Sequence, residues 1–180
     1  MSGLMVRESI TDVMAQLGRE RLQGGKYLAF LAAGETYAIS VLKVKEIIEY
    51  QGVTHVPRMP EFLLGAINLR GAIVPVVDLA CRLGTRAKVE TGRRSCILIV
   101  EVGGEDGGEG MDVGLMVDAV TRVTDIEASE IEPPPSFGGA LRTDFIDGLA
   151  KTEEGGFVVL LDINRILSAG ELARLTEEVV

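Results

Sequence analysis

Residues 62–83, FLLGAINLRGAIVPVVDLACRL, decide how the rest of the chain is read. Two apolar runs, Leu64–Leu69 and Ala72–Val77, flank the pair Arg70-Gly71. Glycine admits the positive φ of a two-residue turn, so the stretch predicts a tight β-hairpin. Strands this apolar are expected to be buried on both faces or nearly so. Asp78 ends the second run, and Leu79–Leu83 is spaced to begin a short helix. Arg70 is the exception. A charged side chain at a hairpin tip cannot join the core, so it faces water or a partner.

The composition around this hairpin narrows the function classes. The chain has 180 residues, enough for one domain or two small ones with a sizeable core. It is 47% hydrophobic but only 4% aromatic, with no Trp, so Val, Ile, Leu and Ala must fill the interior. A net charge of −9 argues against nucleic acid, where phosphate neutralisation needs clustered Lys and Arg, and against an anionic membrane surface. The two cysteines, Cys81 and Cys96, lie in apolar runs and read as buried thiols rather than a disulfide. No CxxC or Cys/His cluster supports a metal site, and no cofactor is expected. The N-terminus lacks a signal-like apolar block, and no run approaches the ~20 residues needed to span a bilayer. The expectation is a soluble, cytoplasmic protein.

Residues 1–25 carry Ile10, Val13, Met14 and Leu17 at helical spacing, predicting an amphipathic helix over about 9–22, an extension whose removal should leave the body folded. Tyr27–Leu31 and Thr36–Ile39 read as a hairpin. Val41, Val44 and Ile48 then fall on one helical face. Glu49–Val56 is extended and holds the single His55, which has no ligand-spaced neighbours. Ser95–Val102 and Asp112–Val117 are apolar strands around the acidic loop Gly103–Gly110, which fits neither a Walker loop nor an EF-hand. Phe157–Leu161 is a further strand, and a C-terminal helix is expected over 169–180, capped by Ser168.

The halves of the chain repeat. Val41-x-x-Val44-x-x-Ile47 matches Val117-x-x-Val120-x-x-Val123, Phe62-x-x-Gly65 matches Phe145-x-x-Gly148, and Val76-Val77-Asp78-Leu79 matches Leu160-Leu161-Asp162-Ile163, at an offset of about 80 residues. Each half, about 26–84 and 95–168, therefore reads as a unit of roughly five short strands, suited to a small barrel packed on its twin. The hairpin tips differ: Arg70-Gly71 in the first half, the longer acidic Lys151–Gly156 in the second.

The strings YAISVLKVKEIIE and VPRMPEFLLGAINLRGAIVPVVDL, with NLRG at Asn68–Gly71, PVVDL at Pro75–Leu79 and VKEI at Val44–Ile47, resemble the CheW family of chemotaxis coupling proteins. The resemblance continues through GLMVDAV and IEPPP to about Leu167. It implies a mainly β fold, two packed SH3-like five-stranded β-barrels with short helices, in one CheW-like domain over 26–168. It also implies a non-enzymatic, stand-alone adaptor without kinase or receiver domain. Its implied partners are methyl-accepting chemotaxis receptors and the regulatory domain of the histidine kinase CheA, with other CheW-like units as further candidates. Its implied place is the cytoplasm, recruited to membrane receptor arrays. Carried over by position, Arg70 belongs to the receptor-facing surface, Val44 and Glu46 lie on or beside it, and Asn68 and Arg58 join the partner-binding set on weaker grounds. A coupling protein of a non-flagellar receptor–kinase pathway, for surface motility or second-messenger control, is the alternative.

An enzyme is the other class to weigh. Asp78 and Asp162 occupy equivalent sites and could be imagined as a carboxylate pair. Each stands at a strand end just before a helix, where Asp caps backbone N–H groups, and that reading is the stronger.

Overall fold

The computed structural model describes Val13 and residues 25–84, 95–103, 110–134, 145–152 and 155–167. Strands β1 (Lys26–Ala32) and β2 (Glu35–Ser40) form an antiparallel hairpin. The Ser40 hydroxyl accepts from the Leu42 N–H at 3.2 Å and caps a 3-10 turn, Val41–Lys43, that leads into β3 (Val44–Glu49). The hairpin expected from residues 62–83 is present as β4 (Leu63–Leu69) and β5 (Ala72–Asp78), followed by α1 (Leu79–Arg82). Then come β6 (Cys96–Val102), β7 (Met111–Val117), β8 (Ala119–Asp125) and β9 (Ile131–Glu132). The described part ends with β10 (Ile146–Lys151), β11 (Phe157–Leu161) and α2 (Ile163–Ile166).

The fold is mainly β, as expected, in two packed sheets. One has six strands in the order β8-β1-β2-β11-β10-β9, the other five in the order β3-β6-β7-β5-β4. Each curls toward an SH3-like barrel without a closed ladder. In the five-stranded sheet a single bridge, Thr54↔Ala66, brings the chain after β3 onto β4.

The sheets do not follow the two halves of the sequence, contrary to the expectation of one barrel per half. Each takes its opening hairpin from one half and its remaining strands from the other: β1–β2 join β8–β11, and β6–β7 join β3–β5. The two orders are otherwise equivalent, down to a parallel pair in each, β2 with β11 and β7 with β5.

The expected helical face over Val41–Ile48 is also corrected. Val44 and Ile47 are both buried, at the spacing of three that imitates a helix. The cause is a bulge: the β3–β6 register shifts between Val44 and Glu46, so one extra residue resets the alternation of faces. β-Branched Val and Ile suit the strand that results.

The largest core cluster is the seam between the sheets, with Leu28, Phe30 and Ile39 from one and Leu98, Val100 and Leu115 from the other, all fully buried. Each such side chain contributes about 1.5–3 kcal/mol. Smaller clusters fill the inside of each curl: Val74, Val76, Ile97 and Ile99 in one, Ala38, Val158 and Leu160 in the other. Strand β6 is thus buried on both faces over Cys96–Val100, as its apolar run there requires. Of the N-terminal segment, Val13 is helical and 0% exposed, packed with the core residues of the seam. The C-terminal helix expected over 169–180 lies outside the described residues.

Two repeat-related glycines explain the curl. At Gly65 a Cβ would run into the Thr54 carbonyl, whose carbon lies 2.8 Å from the position it would take. At Gly148 it would meet the Ile131 side chain and, at 2.9 Å, the Glu132 carbonyl oxygen. Both lie at a register shift, and at both the incoming chain passes directly over the strand.

Candidate functional site: the β4–β5 tip

The tip is built by local chemistry. Arg70 and Gly71 have φ of 51° and 88°, the pair of positive angles that lets a two-residue turn match strand twist. Asn68 holds the turn from inside: its side-chain oxygen accepts from the Gly71 N–H at 2.9 Å. Arg70 Nη2 then donates to Glu46 Oε2 at 2.6 Å. β3 and β4 are the opposite edges of the five-stranded sheet, so this pair joins the two edges across the mouth of the curl.

The Arg70 side chain is 70% exposed and that of Glu46 19%. An ion pair this open to water is worth about 0.2–1 kcal/mol. It matters more for where it holds the guanidinium. Beside it, Ile73 is 50% exposed, a large aliphatic group left in water. A groove runs from the tip along β4, lined by apolar Ile48, Ile67 and Leu69 and by polar Glu49, Gln51 and Asn68. The arrangement can accept an elongated amphipathic segment carrying an acceptor for the Arg70 N–H groups.

The residues singled out from the sequence do not all meet here. Arg70, Glu46 and Asn68 converge. Val44 is 1% exposed, and its side chain packs in the core. Arg58, in the left-handed region at φ 64°, lines a separate cleft with His55, Met59, Glu61, Cys81 and Gly84 at the base of the hairpin. That cleft is about 20 Å from the tip, the length of β4. Two residues were missed. Ile73 sits in a run expected to be buried on both faces or nearly so, and the strand emerges from the core at its tip end. Arg82 donates through Nε to the Ile166 carbonyl at 2.8 Å, with its guanidinium over the rings of Phe62 (4.7 Å) and Phe145 (5.3 Å).

The carboxylates once weighed as a catalytic pair are caps. Asp78 accepts from the Cys81 N–H at 3.3 Å, and Asp162 from the Asn164 N–H at 3.0 Å. Among the described residues no group of three or more His, Cys, Asp or Glu could hold a metal ion, and no helix is long and apolar enough to cross a membrane. Burial pushes the Cys96 thiol above its ordinary pKa, with Glu49 adding to the rise and a hydrogen bond to the Val120 backbone opposing it.

Comparison with known proteins places this geometry. A family model described as "CheW-like domain" matches residues 26–171. The chain is 34% identical over 150 residues to the chemotaxis protein CheW of Klebsiella aerogenes, covering 83% of this chain and 86% of that protein. It is 34% identical over 145 residues to the chemotaxis protein CheW of Bacillus subtilis, covering 80% and 87%. A crystal structure of the scaffolding protein TtCheW from Thermoanaerobacter tengcongensis superposes with a TM-score of 0.71 at 34% identity, over 83% of this chain and 91% of that one.

Proposed function

The chain belongs to the CheW-like family, and we propose from this premise that it is a chemotaxis coupling protein, joining the cytoplasmic tips of chemoreceptors to the regulatory domain of the kinase CheA. In this reading it has no chemistry of its own. It is a soluble scaffold, and its place at the membrane comes from the receptors it binds.

The observation that supports this most is the tip itself: an Arg held at a fixed point by Glu46, beside exposed Ile73 and a groove of mixed polar and apolar lining. A receptor tip made of helices offers an apolar face and, at helix ends, carbonyl or carboxylate acceptors, which is the chemistry an Arg beside a groove recognises. Receptor arrays repeat the contact many times, so a modest single-site affinity suffices.

The test is Arg70→Glu, with binding to a receptor cytoplasmic-tip fragment and to the CheA regulatory domain measured separately by calorimetry. One charge-assisted hydrogen bond is worth about 1.5–3 kcal/mol. Receptor affinity should therefore fall roughly 10- to 100-fold, while melting temperature and kinase binding stay near wild type. Unchanged receptor affinity in a folded variant removes Arg70 from the interface. Failure of the wild-type protein to bind either partner overturns the coupling reading altogether.

A further inference from the structure

The exchange of hairpins between the sheets has the topology of a two-fold dimer fused into one chain. The six-stranded sheet reads β8-β1-β2-β11-β10-β9, and the five-stranded sheet reads β3-β6-β7-β5-β4 with Thr54 bridged beyond β4. Strand by strand these are the same order, with the contributions of the two sequence halves interchanged. In a symmetric dimer, a residue on the two-fold axis meets its own counterpart. Here Arg82 and Ile166 are counterparts, 84 positions apart, the spacing that separates Asp78 from Asp162, and Arg82 hydrogen-bonds the Ile166 carbonyl. Its guanidinium also lies over both members of the repeat-related pair Phe62 and Phe145. The pseudo-axis therefore passes beside Arg82.

We propose that the two halves, residues 1–88 and 89–180, are obligate partners of one another, each completing the other's sheets, and that the peptide link between them is dispensable once they have paired. Four ladders cross between the halves: β1 with β8, β2 with β11, β3 with β6, and β5 with β7. Without them the first half keeps only the hairpins β1–β2 and β4–β5, and β3 has no partner. An isolated two-stranded hairpin is marginal in water at best. The seam core is likewise shared, with Phe30 and Leu79 from the first half against Leu115 and Phe145 from the second. A separated half thus exposes both its strand edges and its apolar face, and the surface that fits them is the other half. This holds independently of which receptors or kinase the protein serves.

The experiment inserts a specific protease site between Lys88 and Val89 of the full-length protein and cleaves it after folding. The two pieces are expected to co-elute at the volume of the uncut protein with its far-ultraviolet dichroism unchanged. Parted in denaturant and returned singly to buffer, each should lose the cooperative thermal transition, and mixing should restore it. Should the insertion itself impair folding, co-production of 1–88 and 89–180 as separate chains gives the same reading by co-purification. Separation of the nicked halves in native buffer would overturn the proposal. So would a cooperative transition in either half alone, or folded self-association of one half without preference for the other.

Discussion

Replacing Gly65 by Ala should open the five-stranded curl. The Cβ would enter the space of the Thr54 carbonyl, a backbone group that cannot swing aside as a side chain can. The φ of 156° there adds strain for any L side chain. To relieve the clash, the chain after β3 must lift from β4. That breaks two backbone hydrogen bonds, Thr54 N–H to Ala66 O and Ala66 N–H to Thr54 O, each 2.9 Å. At about 0.5–1.5 kcal/mol each, the loss is roughly 1–3 kcal/mol before strain is added. For a chain of this size, each kcal/mol shifts the melting temperature by about 2–4 °C, so a fall of roughly 2–12 °C is expected. Amide exchange should rise at Thr54 and Ala66 and stay slow in β6 and β7. Gly71→Ala is the control, since nothing lies within 4 Å of its added carbon and only the turn conformation is penalised. A Gly65→Ala protein that melts with wild type, or that loses no more than Gly71→Ala, refutes the close-approach account.

Asp78→Ala and Asp162→Ala should each cost about 1 kcal/mol by removing a helix cap, read as a lower melting temperature with the sheet dichroism intact. Val13→Ala should destabilise by roughly 1–3 kcal/mol, because the side chain is wholly buried in the seam. An unchanged melt would place Val13 outside the core. In native protein, iodoacetamide should label half-buried Cys81 well before buried Cys96, whose raised pKa keeps it in the unreactive thiol form as pH rises through the ordinary thiol range. Peptide mass spectrometry reads the order, and equal rates would contradict it.

Much of this architecture was legible locally. The β4–β5 hairpin, its turn at Arg70-Gly71, and the caps at Asp78 and Asp162 follow from residue chemistry within a few positions. So does the correspondence of Phe62–Gly65 with Phe145–Gly148. What the sequence conceals is non-local. A repeat announces that two halves are alike but not which strand pairs with which, and parallel pairs such as β2 with β11 carry no turn signal between them. The bulge in β3 hides in the same way, since a face reset by one residue reads as helical spacing. At the tip, family resemblance places Arg70 and Glu46 on or beside one surface, but their ion pair is a finding of the structure. Nothing in the sequence marks an ion pair across a sheet mouth between residues 24 positions apart. The same resemblance puts Val44 and Arg58 in the partner-binding set, and the structure places Val44 in the core and Arg58 in a separate cleft.

In the proposed coupling role, the Arg70–Glu46 pair bears on affinity as well as on shape. A long, exposed arginine ordinarily samples many rotamers, and a partner that fixes it opposes about 0.5–1.5 kcal/mol of side-chain entropy. Here Glu46 and the Asn68-clamped turn limit that freedom in the unbound protein. The ordering cost falls on folding, where an extensive core absorbs it, and association begins from a side chain already near its working position. Glu46→Gln should accordingly weaken partner binding without touching the partner, mainly by letting Arg70 wander.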